Sequence, residues 1–178
     1  ADEGGAGQEL PARETAMEHD SVDHAITATH LKSFKPEPTF GGVRSFFRRK
    51  YTKDLTGVDV AVLGVPFDTA TSGRPGTRFG PDGIRQASCQ IAWGQPFPWP
   101  FNPVEKLAVI DYGDVLFRHE HPLTVPAAIR DQALAIVERG VTLLTLGGDH
   151  FITYPLLQAH HAVHGPLSLH HFDAHRDT

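Results

Sequence analysis

Cysteine and methionine are nearly absent from this sequence. Its 178 residues hold one of each, Cys89 and Met17. A single cysteine excludes an internal disulfide framework and fits a reducing compartment, so the cytoplasm is the expected location. No apolar run reaches the ~18 residues of a transmembrane helix, and no membrane span is expected. Positive charge is also scarce. Sixteen Lys and Arg against 21 Asp and Glu leave a formal net charge of −5, which gives no basic footprint for nucleic acid. The N-terminal ADEGGAGQEL has neither the basic start nor the apolar middle of a secretory signal. Residue 1 is Ala, and the stretch before Met17 is rich in Gly, Ala and Glu. It reads as an irregular extension or as translated sequence ahead of the true start.

What is there is ordinary globular material: 40% hydrophobic and 21% charged residues, enough for one domain with a core. Histidine is the exception, with 12 residues, most of which are expected to lie on the surface. Residues 1–38 lack sustained periodicity and are expected to be mostly irregular, with a short helix near Asp23–Leu31. GVRSFFRRKY (42–51) reads as a short amphipathic helix.

The pattern sharpens after residue 58. VDVAVLGVPF (58–67), LAVIDYGDV (107–115), VTLLTLGGDH (141–150) and PLSLHHFDAH (166–175) read as strands. GPDGIRQAS (80–88) starts a helix, with Pro81 in its first turn. TVPAAIRDQALAIVERG (124–140) is a helix with Val125, Ile129, Ala133, Ile136 and Val137 on one face, stopped by Gly140. FITYPLLQAHHAVHG (151–165) is another. The proline-rich WGQPFPWPFNP (93–103) is an ordered, non-helical excursion. Strands separated by helices imply right-handed crossovers, and a parallel sheet covered on both faces. Ligands of such sheets bind beyond the carboxyl ends of the strands. The four ends here, FDTATSG, DYGDV, GGDH and FDAHRD, should gather on one edge.

Two of those ends carry chemistry. Gly147 and Gly148 permit a sharp turn that aims Asp149 and His150 at the ligand edge. In an extended segment, Asp173, His175 and Asp177 share one side. Imidazole nitrogen and carboxylate oxygen without a thiolate suit Mn²⁺, with Fe²⁺ or Zn²⁺ possible. Taken singly, Asp-x-His-x-Asp reads equally as a solvated loop, and Gly-Gly-Asp-His as a tight turn.

GGDH (147–150) followed by FDAHRDT (172–178) resembles the ureohydrolase family: arginases, agmatinases and their relatives. GVPFDTATSGRPGTRFGPDGIRQAS (64–88) resembles that family's first strand, loop and helix, and DYGDV (111–115) is similar too. The likeness runs over roughly residues 40–178. It is nearest to bacterial agmatinases, on ATSGRPG, PFPWPFN and GGDHFITYPLL. The resemblance implies an arginase-like, three-layer α/β/α fold with a mainly parallel sheet, truncated at its C-terminus. Residues 39–178 would form an incomplete ureohydrolase domain behind the extension 1–38. Two Mn²⁺ per intact subunit are implied, with His150 on one ion, Asp173 bridging, His175 on the second ion and Asp177 on the first. Two more aspartate ligands, a proton-transferring histidine and a guanidinium-binding glutamate are expected beyond Thr178.

The implied reaction is hydrolysis of agmatine to putrescine and urea, in a homo-oligomer of three or six subunits. Alternatives are another guanidino substrate (guanidinobutyrate, guanidinopropionate or arginine), or an inert fragment or regulatory subunit. Arg176 stands where agmatinases usually carry a small polar residue. His170 and His171 are read as packing histidines, with His171 behind the ligands. Asp149 is expected to shape the turn, and Arg74 and Arg78 to point away from the substrate.

Overall fold

The computed structural model describes residues 31, 40–92 and 95–175. Three strands, β1 (Val60–Val65), β2 (Val109–Asp114) and β3 (Thr142–Gly147), form one parallel sheet in the order β2-β1-β3. β1 is central, with β2 and β3 bonded to either side. A strand covered on both faces should be apolar throughout. VAVLGV is, and all of it but Val60 is buried.

Pleating sorts the side chains of β1 to two faces. Ala61, Leu63 and Val65 enter a core with Ile110 of β2 and with Val125, Ile129 and Ile136 of helix α3 (Val125–Val137). Val62 enters the opposite core with Val104, Val109 and Leu146. Gly64 shares the direction of Val62 and faces Pro81, where an added Cβ would come within 3.0 Å of the proline Cβ. Helices therefore lie on both faces, which makes the chain α/β. Helix α1 (Gly80–Ile91) packs on the Val62 side and begins with proline in its first turn. The short α2 (Pro103–Lys106) supplies Val104. Helix α3 covers the other face and packs along α4 (Thr153–His164).

One buried ionic network ties α1 to β2. The Arg85 guanidinium donates from Nε to Asp111 Oδ2 at 2.7 Å, and from its two other nitrogens to Asp111 Oδ1 at 2.9 Å and Asp114 Oδ1 at 2.7 Å. Asp111 also accepts from the backbone N–H of Phe46 and Gly113. Burial pulls the Arg85 pKa down, but the two carboxylates outweigh it and hold it above its ordinary value.

Two sequence expectations, at 42–51 and at 166–175, differ from the fold. Residues 42–51 are not an amphipathic helix. Only a 3-10 turn, Phe46–Arg48, forms, and Phe47 and Arg48 both have positive φ. The N–H groups that would start a helix are taken by distant partners, Phe46 by Asp111 and Phe47 by Ser88 Oγ. The excursion at 93–103 is non-helical in its described residues as far as Asn102, and α2 starts at its last residue, Pro103. Residues 166–175 form no strand, with bends at 166, 174 and 175, and Leu167, Leu169 and Phe172 are exposed. A strand exists only through a ladder, and this segment pairs with no described neighbour. The helix expected near Asp23–Leu31 falls almost wholly outside the described residues.

Candidate metal centre

Parallel pairing sends β1 and β3 to the same edge, with Val65 opposite Gly147. The next residues cross closely. Gly148 N–H donates to Val65 O, and Asp149 N–H donates to Phe67 O at 2.8 Å. A Cβ on Gly148 would collide with the carbonyl oxygens of Phe67 and Val65. Glycine is required there by close approach. Asp149 is buried, and its Oδ2 accepts the N–H of Ala70 at 2.8 Å, so it fastens the loop after β1 to this turn. Its Oδ1 is buried without a hydrogen-bond partner. His150 then opens a 3-10 turn, His150–Ile152, and is exposed at the sheet edge.

The chain returns to His150 after α4. The donor atoms of His150, His171 and Asp173 all lie within 4.8 Å of one another. The rings of His150 and His171 are 4.8 Å apart, tilted by 34°. Asp173 Oδ1 accepts the backbone N–H of His175 at 2.8 Å and lies 3.4 Å from His175 Nδ1. Asp173 Oδ2 lies 3.5 Å from His171 Nε2. The His175 amide, followed by the neighbouring histidines, holds the Asp173 carboxyl below the usual carboxylate range.

Of the four residues expected as metal ligands, His150 and Asp173 meet, and His175 adjoins Asp173 with its ring largely exposed. Asp177 lies outside the described residues, as does Arg176. His171, expected behind the ligands, stands beside them and is exposed, as is His170. The available signal was the same alternation that groups 173 with 175, extended two residues backwards.

The loop leaving β1 walls this edge. Asp68 is buried, and its Oδ1 accepts from Arg78 Nε at 2.7 Å while Oδ2 accepts the N–H groups of Gly76 and Arg78. The Arg78 side chain, then burial working against it and the two backbone bonds, sets the Asp68 carboxyl at about 2. The clamp folds 69–76 over a cleft of about 730 Å³, lined by Thr71, Ser72, Asp149, His150, Tyr154 and His171 among others. No Lys or Arg lines it among the described residues. No local pattern marks Asp68 as the clamp, because its partners lie along the loop rather than at a fixed motif spacing.

The imidazole of His150 and the carboxylate of Asp173, gathered at one edge with His171 beside them, fit a hard or borderline divalent cation such as Mn²⁺. The one thiol, Cys89, is buried in α1.

Known proteins resemble this chain in sequence and in fold. The model of the arginase family matches residues 58–178. An agmatinase of Chromobacterium violaceum is 51% identical over 157 residues, 88% of this chain and 49% of that protein. The crystal structure of a hypothetical agmatinase from Burkholderia thailandensis superposes with a TM-score of 0.81 at 53% identity, over 85% of this chain and 48% of that one. Proclavaminate amidino hydrolase from Streptomyces clavuligerus superposes with a TM-score of 0.65 at 30% identity, over 74% and 43%. The chain thus spans about half the length of the curated relatives it matches.

Proposed function

Because the chain belongs to the arginase family, we propose that it carries one half of the dimetal centre of an Mn²⁺-dependent agmatinase, which hydrolyses agmatine to putrescine and urea. The observation that carries this reading is the meeting of His150, from the end of β3, with Asp173, beyond α4. His150, Asp173, His175 and Asp177 would hold the ions. Residues outside these 178 would complete the ligand set and supply the groups that move protons and hold the guanidinium. When bound, the two ions supply an activated water at neutral pH.

The chain's own residues prepare the place for the reaction. Asp149 and Gly148 fix the turn that presents His150. The Asp68–Arg78 clamp keeps the loop at 69–76 over the cleft, and it also neutralises a cation that would repel a guanidinium. A cleft free of Lys and Arg among its described lining suits a doubly cationic substrate, and Asp149 contributes a carboxylate to its wall. In the net reaction a C–O bond forms at the guanidinium carbon, the C–N bond to the alkyl amine breaks, and the departing nitrogen takes a proton.

A second reading keeps the chemistry and changes the far end of the substrate. The similarity to an amidino hydrolase named for proclavaminate favours keeping it open. A carboxylated guanidino compound would need a cationic clamp that the described cleft lining lacks. The deciding experiment is urea release by the full-length protein with added Mn²⁺ across agmatine, guanidinobutyrate, guanidinopropionate and arginine. Agmatine is expected to be fastest. A faster carboxylated substrate overturns the agmatinase reading, and no urea from any of them overturns the hydrolase reading. The 178-residue chain alone is expected to bind Mn²⁺ weakly and release no urea. Light scattering of the full-length protein should give a trimer or hexamer, and cell fractionation should find it in the cytoplasm. No helix of the described residues is long and apolar enough to cross a membrane.

A further inference from the structure

We propose that His171 is a positioning residue of the metal centre, holding the second carboxylate oxygen of Asp173 while its ring backs that of His150; this rests on the dimetal reading above.

The two oxygens of Asp173 have different neighbours. Oδ1 is held by the backbone N–H of His175 at 2.8 Å. Oδ2 has His171 Nε2 at 3.5 Å, slightly beyond hydrogen-bond length, where a small rotation of either side chain closes the contact. A carboxylate that serves two cations would need its orientation held, so that both oxygens stay turned toward the site. The amide of His175 fixes one oxygen, and His171 limits the swing of the other. Groups that orient ligands in this way set ligand basicity and metal affinity.

His171 acts on a second ligand at the same time. Its ring lies 4.8 Å from that of His150 with a 34° tilt, so His150 cannot rotate freely on that side. Thus one side chain touches the ligand delivered by β3 and the ligand delivered by the segment after α4. His170 is a natural control. It is equally exposed, and no contact of this kind involves it among the described residues.

The test uses the full-length protein with His171→Gln, His171→Phe, His171→Ala and His170→Ala. Gln keeps an N–H near the place of Nε2, whereas Phe keeps the ring without a donor. Mn²⁺ stoichiometry and affinity are titrated, the spin-coupled Mn²⁺ signal is followed by electron paramagnetic resonance, and thermal melts check folding. The expected result is a loss of about 10–100-fold in Mn²⁺ affinity for Phe and Ala, with both equivalents still bound at saturation. The coupled signal should shift in those variants, Gln should restore most of the affinity, and His170→Ala should change nothing. Wild-type affinity in a folded His171→Phe overturns the positioning role. Loss of a whole equivalent at saturation also overturns it, since His171 would then be a ligand. Should Phe and Ala fail to fold, a folded His171→Gln with affinity as weak as the 10–100-fold loss expected of Ala overturns the donor role, and one with near-wild-type affinity supports it. A wild-type protein that binds no Mn²⁺ overturns the dimetal reading itself, whatever the variants do.

Discussion

Asp149 accepts the backbone N–H of Ala70 at 2.8 Å, a side-chain bond that reinforces the backbone links between the loop after β1 and the turn that presents His150. Removing it in Asp149→Ala leaves a partly buried N–H without its acceptor. A loss of about 1–3 kcal/mol in stability is expected by denaturant titration. Asp149→Asn keeps an acceptor oxygen and should lose less.

Asp173 should be the most costly single loss at the centre. As the proposed bridge it serves both ions, whereas His150 serves one. Asp173→Ala in the full-length protein is expected to abolish binding of both Mn²⁺, and His150→Ala to remove mainly one equivalent. Each should reduce urea release by more than the ~10–100-fold that outer partners cost. Metal analysis after gel filtration, beside the urea assay, checks this.

The Asp68–Arg78 clamp makes stability depend on pH in a defined window. The folded carboxyl titrates at about 2, below its ordinary 3.8. A depressed folded value gives stability that is fully present above the unfolded pKa and lost as pH falls from about 4 toward 2. The difference in melting temperature between wild type and Asp68→Asn should therefore be constant above about pH 5 and shrink across that window. A difference that stays level down to pH 2 would contradict the clamp.

Arg85 and Asp111 form a buried pair, with side chains 9% and 0% exposed. Removing Asp111 leaves Arg85 with Asp114 as its one remaining carboxylate among the described residues and takes the acceptor from the N–H groups of Phe46 and Gly113. Asp111→Ala is expected to destabilise by about 3–5 kcal/mol, and calorimetry reads it directly.

Much of the sheet was legible in the sequence, because its signals are local. The unbroken apolar VAVLGV marks a strand buried on both faces, and Gly-Pro at 80–81 marks the start of α1. His150 and Asp173 are expected from the sequence to meet as two parallel strand ends at one edge; they do lie together, but only His150 follows a strand, and Asp173 comes from a segment without a described ladder. Elsewhere, long-range partners decided. The turn at Phe46–Arg48 depends on Asp111 and Ser88, which no local pattern announces. Segment 166–175 has strand composition but no described partner for a ladder. Its place therefore depends on pairing rather than propensity. In the full-length protein its backbone amides should exchange slowly with deuterium, and in the 178-residue chain quickly. Equal, fast exchange in both would argue against a strand there.

The sheet order β2-β1-β3 also has a consequence for biosynthesis. Its middle strand leaves the ribosome before either flank exists, and β3 and Asp173 emerge later still. The nascent chain must shelter a wholly apolar ribbon until both sides arrive. On the proposed reading, the centre could take up metal only after β3 has closed the sheet against β1, so scarcity of the ion would leave the sheet formed and its edge empty.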